Sequence, residues 1–167
     1  YENDQSDLES QPGLKYMNSE TIEYWKKRPA KDLGDQRRQN RLDTVKALFD
    51  AGANLILGTI FPNSWLIPGF SIHDELSLLV EAGLTPYEAI KTGTVNVATH
   101  MKKLSEFGTI EKGKRADLIL CDANPFDDVT NISSPKGVMT NGIWYPRAAL
   151  DQMLEEVETE VQMLGAN

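Results

Sequence analysis

The fold class of this chain is decided by residues 42–58, which read LDTVKALFDAGANLILG. The first half carries apolar residues at helical spacing and lies in a helix predicted from Asp35 to Asp50, with Asp35 as its N-cap. Gly52 supplies the helix stop. The apolar run from Asn54 to Leu57 then suits a fully buried parallel strand. A helix, a tight turn and a buried strand together predict an α/β fold.

Further helices are predicted on both sides of this stretch, beginning at Asn18, Ser71, Thr85 and Thr94. The first is expected to run to Arg28, where Pro29 stops it. Ser71 with Asp74 has the pattern of a capping box, so we expect Asp74 to cap its helix, and Thr85 with Glu88 repeats that pattern. The helix from Thr94 is expected to reach Lys103. The loop between residues 61 and 70 lies where α/β enzymes place their chemistry.

The periodicity changes to the strand type from Gly108 onward. Short strands are predicted over residues 108–110, 116–121, 137–140 and 143–145. Asn141-Gly142 predicts a type I′ hairpin turn, because that turn needs positive φ at both central positions. A last helix is predicted to start at Pro146, and its apolar stripe indicates packing against the chain's own domain or, alternatively, a subunit interface.

Composition excludes several classes of partner. The chain has 167 residues and a net charge of −8, so a nucleic-acid backbone or an anionic membrane surface would repel it. The single cysteine, Cys121, excludes an intrachain disulfide and is expected to be buried packing. The polar run Tyr1 to Gln11 has no signal-peptide core, and no stretch approaches the length of a membrane span. These features are typical of a soluble globular protein, and they leave its compartment open.

Three motifs resemble one enzyme family. They are Pro68-Gly-Phe-Ser-Ile-His-Asp-Glu-Leu, Leu79-Val-Glu-Ala-Gly-Leu-Thr-Pro-Tyr-Glu-Ala, and Gly108-Thr-Ile-Glu-Lys-Gly-Lys-Arg-Ala-Asp-Leu-Ile-Leu. Together they resemble the C-terminal part of amidohydrolase-superfamily enzymes, with imidazolonepropionase-like and prolidase-like members the nearest in appearance. The resemblance runs from about Leu42 to Trp144, and its most specific piece is the run from Gly108 to Asp122 followed by Asn124-Pro125.

The resemblance implies an architecture: a (β/α)8 TIM-type barrel and a small β-sandwich built from both chain ends. Asn54 to Gly58 is then expected to be the eighth barrel strand, with the other seven absent from this chain. Residues 1–107 become the C-terminal portion of the barrel, residues 108–145 the sandwich segment, and residues 146–167 a C-terminal helix. A barrel closes only when its strands pair in register, so this chain is expected to be incomplete as a unit.

The resemblance also implies chemistry. Enzymes of this family use one or two divalent metals of the zinc type to activate water and polarise a carbonyl. Among the family's ligands, only the aspartate that closes the eighth strand would fall in this chain, where the family reads Gly-Thr-Asp and this sequence reads Gly58-Thr59-Ile60. Ile60 cannot bind a metal or accept a proton, so we expect no catalytic residue and no metal ligand in this chain.

The remaining site candidates are few. His73, in the loop above the barrel, is expected either to touch substrate or to bond to its helix terminus. His100 is expected at the surface, and Asp117 is expected to fix a turn or strand contact. The adjacent carboxylates Asp74 and Glu75 are expected to diverge, because neighbours on a helix point apart. The arginines at positions 37, 38 and 41 read as a solvated helix face.

Two functions follow from these patterns. The first is a segment of a metal-dependent hydrolase of C–N bonds in amides, cyclic amides or dipeptides, inactive alone and completed by the remainder of the barrel or by another subunit. The alternative, which Ile60 favours, is a non-catalytic relative that serves binding or assembly. Metal-dependent turnover by the purified chain would eliminate the alternative.

Overall fold

A computed structural model of the chain describes residues 8–27 and 34–165, and shows a mixed α/β structure with one small sheet. The α-helices are α1 (Ser19–Lys26), α2 (Asp35–Asp50), α3 (Ser71–Glu81), α4 (Pro86–Gly93), α5 (Val95–His100) and α6 (Arg147–Gly165). Two 3-10 helices span Pro12–Tyr16 and Val129–Ile132. The strands are β1 (Leu118–Leu120), β2 (Gly137–Thr140) and β3 (Ile143–Pro146).

The helices confirm most of the expected elements. α2 has the predicted bounds. Its N-cap is Gly34, with a φ of 70°, and not Asp35 as predicted, because Asp35 already lies in the first turn. α4 has the predicted capping box, with Thr85 and Glu88 exchanging side chain to backbone hydrogen bonds at 2.8 and 3.3 Å. α1 begins after Asn18, which caps it. The predicted stop at Arg28 and Pro29 lies outside the described residues.

The predicted cap of α3 is wrong. Ser71 lies within the helix, its N-cap is Phe70, and no side chain caps that end. The Ser71 hydroxyl instead accepts the backbone N–H of Ile67 at 2.8 Å, inside a buried site. The loop before α3 folds back onto the helix, so Ser71 satisfies a buried loop donor instead of the free N–H groups of its own helix. α5 also ends earlier than expected, at His100, where Lys102 adopts a φ of 58°.

The β unit is an antiparallel sheet in the order β1-β2-β3. Asn141 and Gly142 both have positive φ, which confirms the predicted hairpin turn between β2 and β3. Asp117 accepts the Asn141 backbone N–H at 2.9 Å, so it fixes this turn as expected, and that bond lowers the pKa of its carboxyl. The predicted strand over residues 108–110 is wrong, and β1 is shorter than predicted. Cys121, expected to be buried, is only half-buried.

The sheet gives a first testable prediction, at Gly137. A Cβ at this position would meet the indole ring of Trp144 and would lie 2.8 Å from the carbonyl oxygen of Tyr145. We therefore expect Gly137→Ala to lower the free energy of unfolding by about 1 to 3 kcal/mol, measured by urea denaturation. Gly58→Ala is the matched control, because nothing lies within 4 Å of its Cβ position. Equal effects of the two substitutions would contradict this account.

The segment after α2 departs from its prediction. Asn54–Leu57, expected to be a buried strand, pairs with no strand in the described part of the chain, and Ile56 is 42% exposed. One edge is held: Leu57 donates its backbone N–H to the Thr92 carbonyl at 3.2 Å, and the Asn96 side chain donates to the Leu55 carbonyl at 2.9 Å. Among the described residues none bonds to the backbone of Ile56, so the segment is not part of a sheet.

Two hydrophobic clusters hold the described residues together. The first joins the N-terminal segment to the loop before α3, with Leu8, Trp25, Trp65 and Ile67 as its buried members. The second joins α3 and α4 to the second 3-10 helix, with Leu76, Ala89 and Val129 as its buried members. The β unit is therefore packed onto the helices through residues 129–132.

The last helix packs less completely than its apolar stripe suggests. α6 contacts the first 3-10 helix and the sheet, and Lys15 pairs with Glu158 at 2.8 Å. No residue of α6 is buried, and Met153 and Val157 are each 43% exposed. The stripe thus packs against the chain's own domain, as preferred, but it does not form a fully buried core. None of the described helices is both long and apolar enough to span a membrane.

Candidate functional site

A cleft of about 560 Å³ lies between α2, α3 and residues 58–60, which we call its floor. Both helices contribute charged groups to its walls, Arg38, Arg41 and Glu81 among them, beside aliphatic side chains. The lining includes Leu42, Val45, Gly58, Thr59, Ile60, Asn63, Leu66, Ser71, Asp74, Glu75, Leu78 and Leu79. The elements that form this cleft were predicted from the sequence, but their meeting there was not.

Ile60, at the position where the resemblance led us to expect an aspartate, lines the cleft. Its side chain is 71% exposed. A branched alkyl group has no lone pair for a metal and no site for a proton. The prediction that this position carries no catalytic group remains a prediction. The geometry adds only that the neighbouring Thr59 and Gly58 share the same cleft.

Glu75 is the carboxylate that faces this floor. It is half-buried, and its Oε1 accepts the backbone N–H of Gly58 at 3.2 Å. Its other oxygen has no hydrogen-bond or ion-pair partner among residues 8–27 and 34–165. Burial raises the pKa of Glu75, and the Gly58 bond offsets part of that rise. The cleft therefore disfavours the charged form of the Glu75 carboxyl relative to water.

This setting of Glu75 was not predicted from the sequence. Asp74 and Glu75 were expected to diverge because adjacent side chains on a helix point apart, but that expectation does not say where each carboxylate lies. Glu75 lies four residues after buried Ser71 and four before Leu79, so all three share one face of α3. That helical spacing was the available signal that Glu75 turns toward the interior.

The raised pKa predicts a pH-dependent effect of Glu75→Gln. A carboxyl whose pKa is raised on folding favours the folded state below its unfolded pKa of about 4.3, and this contribution is lost as pH rises through the folded pKa. Gln keeps the acceptor for Gly58 and removes the charge. We therefore expect the variant to be more stable than the parent at pH 7 and equal to it at pH 4, measured by urea midpoints.

Glu155→Gln is the control for that prediction. Glu155 lies on the exposed face of α6, so its replacement should leave the difference between the two pH values unchanged. A Glu75→Gln protein that is less stable than the parent at pH 7 would contradict the view that burial of the charged Glu75 carboxylate destabilises the folded state.

His73 lies away from Glu75, in a second cavity of about 480 Å³ between the first 3-10 helix, the loop at 67–70 and α6. It is half-buried, and burial lowers the pKa of its imidazole while the nearby charge of Asp74 opposes that shift. Asp74 lines both cavities. The structure therefore does not bring His73 and Glu75 into one site. His100 is exposed, in agreement with its prediction.

The described residues do not fit a metal centre. Within residues 8–27 and 34–165, no group of three His, Cys, Asp or Glu side chains could hold an ion. The arginines on α2 do not form a cationic site either, since Arg38 pairs with Glu81 across to α3 and Arg41 has contacts of its own. No chemical step through a metal follows from this chain.

Comparison with known proteins identifies the family. Residues 16–144 match the amidohydrolase family. N-substituted formamide deformylase of Arthrobacter pascens is 29% identical over 74% of this chain and 23% of its own length. Imidazolonepropionase of a Geobacillus species is 37% identical over 47% of this chain and 18% of its own length. The chain therefore spans about a quarter or less of these relatives.

A solved structure extends the likeness to the fold. The bottromycin amidohydrolase structure superposes with a TM-score of 0.73, covering 92% of this chain and 36% of that one, at 21% identity. At 21% identity, this likeness shows a shared fold and nothing about function. The family match covers most of the chain and confirms the resemblance carried by the three motifs. The chain belongs to the amidohydrolase family.

Proposed function

We propose that this chain is the C-terminal part of a metal-dependent hydrolase that cleaves C–N bonds in amides, cyclic amides or dipeptides. The family match supports the reaction class. Relatives named as a formamide deformylase and an imidazolonepropionase support it further. Because these relatives are named as enzymes, the alternative of a non-catalytic relative has less support. Small amides or peptides are the proposed substrates.

The observation that carries this proposal is the one-sided segment over residues 53–60. Thr92 and Asn96 hold one edge, through the Leu57 N–H and the Leu55 carbonyl. The backbone N–H and C=O of Ile56 have no partner in the described part of the chain, and its side chain is exposed. A segment with an open edge and apolar side chains is a site for pairing with another strand. In our proposal, this is the eighth strand of a barrel.

The proposed architecture follows the family. Residues 1–107 contribute to the barrel, residues 108–145 to a β-sandwich, and residues 146–167 form the terminal helix. Both faces of the small sheet carry exposed apolar residues, with Ile143 at 57% and Leu120 at 52%. This exposure supports a second sheet that covers one face. The other strands come either from further sequence of the same polypeptide or from a partner subunit.

The metal ligands, in this proposal, also come from outside this chain. Thr59-Ile60 offers none at the family's aspartate position, and the described residues supply no cluster elsewhere. His73 remains a proposed substrate contact in the complete enzyme. It would act from the second cavity, at a distance from the floor of the first.

Hydrolysis assays test the proposal. The 167-residue chain is compared with the assembled protein that contains the remaining strands, using a formamide, a cyclic amide and a dipeptide as substrates with added zinc. We expect turnover of at least one substrate by the assembled protein, its loss on chelation, and none by the chain alone. Turnover by the chain alone, or none by the assembled protein, would overturn the proposal.

A further inference from the structure

The hairpin turn between β2 and β3 presents an asparagine side chain to solvent. Asn141 and Gly142 are both exposed, and they form the two-residue turn that lets Thr140 pair with Ile143. The side-chain amide of Asn141 has no hydrogen-bond partner in the described part of the chain. Its carbonyl carbon is therefore open to attack by a nucleophile.

Gly142 supplies the nucleophile. Its backbone nitrogen follows Asn141 directly, so attack on the side-chain carbonyl carbon closes a five-membered ring. Glycine has no Cβ to obstruct this closure, and nothing else lies within 4 Å of the place that a Cβ would take. A β-branched residue at this position would crowd the nitrogen and slow the reaction.

The chain's only Asn-Gly pair is the one in this turn. Asn96 and Asn131 each precede a β-branched residue, and each donates its side-chain amide to a backbone carbonyl, at 2.9 and 3.0 Å. Asn124 precedes a proline, whose nitrogen carries no proton to lose. Asn141 therefore combines an exposed amide with an unhindered nucleophile, and these other asparagines do not.

Two hydrogen bonds hold the turn closed. Gly142 donates its backbone N–H to the Ala116 carbonyl at 3.1 Å, and Asn141 donates its own to the Asp117 carboxylate at 2.9 Å. The first bond hinders removal of the Gly142 proton, which the attack requires. Both bonds lie at an exposed end of the sheet, where local opening costs far less free energy than global unfolding. The turn therefore slows the reaction without preventing it.

We propose that Asn141 is a site of spontaneous deamidation, and that the bonds to Ala116 and Asp117 set its rate. The Gly142 nitrogen bonds to the side-chain carbonyl carbon and gives up its proton, while the bond from that carbon to the amide nitrogen breaks and ammonia leaves. Water then opens the cyclic imide at either of its carbonyls, which yields aspartate or isoaspartate. Water is the only co-reactant, and the inference is independent of the proposed hydrolase activity.

Both products alter the hairpin. Aspartate adds a negative charge to the residue whose backbone N–H binds the Asp117 carboxylate, in a chain with a net charge of −8. Isoaspartate adds one methylene group to the main chain, so the turn no longer has the two-residue length that fits the twist of its strands. We therefore expect the converted chain to have a lower urea midpoint than the fresh chain.

Ageing of the full 167-residue chain tests the proposal. The folded chain is held at pH 8 and 37 °C, and its peptides are followed by mass spectrometry, with isoaspartate labelled by an isoaspartyl methyltransferase. We expect conversion of Asn141 at least about tenfold faster than that of Asn96 or Asn131. Equal rates at the three positions, or no conversion of Asn141 while the chain unfolded in urea converts there, would overturn the proposal.

Two variants test the parts of the turn. Asn141→Gly keeps a type I′ turn, which Gly-Gly also forms, and removes the side-chain amide, so we expect no isoaspartate in the hairpin peptide. Asp117→Ala removes one of the two closing bonds, so we expect Asn141 to convert about fivefold faster while Asn131 keeps its rate. Isoaspartate that persists in the Asn141→Gly hairpin, or an Asn141 rate that Asp117→Ala leaves unchanged, would overturn the assignment.

Discussion

Trp25→Ala is expected to lower the free energy of unfolding by about 3 to 5 kcal/mol. Trp25 is 1% exposed and packs against Trp65, with ring centroids 5.7 Å apart. Its removal leaves a large void between α1 and the loop before α3, and it also removes an aromatic contact. The measurement is urea denaturation followed by circular dichroism.

Tyr24→Ala serves as the control for that substitution. Tyr24 is the preceding aromatic residue on the same helix and is 50% exposed. Its replacement should cost less than about 1 kcal/mol, because most of its ring is already in water. Similar losses from the two substitutions would mean that α1 does not pack as described, and that the loop at residues 61–70 is held by other contacts.

Leu76→Ala is expected to lower the free energy of unfolding by about 2 to 5 kcal/mol. Leu76 is 5% exposed in the second cluster, where α3 and α4 meet Val129 of the second 3-10 helix. Because this contact joins the helical part to the β unit, we expect both parts to lose stability together. Tryptophan fluorescence, which reports on the first cluster and on Trp144, and far-ultraviolet circular dichroism should give coincident transitions.

Leu78→Ala is the matched control, two residues away on the same helix and 43% exposed. We expect it to cost less than about 1 kcal/mol. Separate transitions for the two probes in the Leu76→Ala protein would contradict the view that residues 129–132 couple the β unit to the helices. Such a result would favour two independently folding parts divided near residue 107.

The sequence predicted the elements whose causes are local. The bounds of α2 follow from its apolar spacing, the cap of α4 from Thr85 and Glu88, and the β2-β3 turn from Asn141-Gly142. Each of these depends on residues within one or two turns of chain. The role of Asp117 could also be anticipated, because it lies in a motif of the family and away from the cleft.

The features that failed depend on distant contacts. Asn54–Leu57 has the composition of a buried strand, but a strand needs neighbours, and the described chain supplies none. Ser71 has the spacing of a helix cap, yet the fold of the loop at residue 67 takes its hydroxyl. Glu75 was missed because its setting is made by Gly58, seventeen residues earlier in the sequence. The local sequence pattern does not predict such contacts.

The same distinction applies to the candidate site. Ile60 could be located from its motif, and the structure places it on the cleft. The separation of His73 from that cleft could not be read from sequence, because both flank the same loop. It arises where the first 3-10 helix and α6 close over the other side of the loop.

The central claim is that this chain lacks the metal site of its family, and elemental analysis of the purified, folded protein tests it most directly. The chain and its Ile60→Asp variant are each incubated with zinc, freed of excess ion by gel filtration, and analysed for bound metal. We predict far less than one ion per chain in both, because one restored ligand does not make a tetrahedral site. Retention of about one zinc ion per chain by the starting sequence would contradict the account.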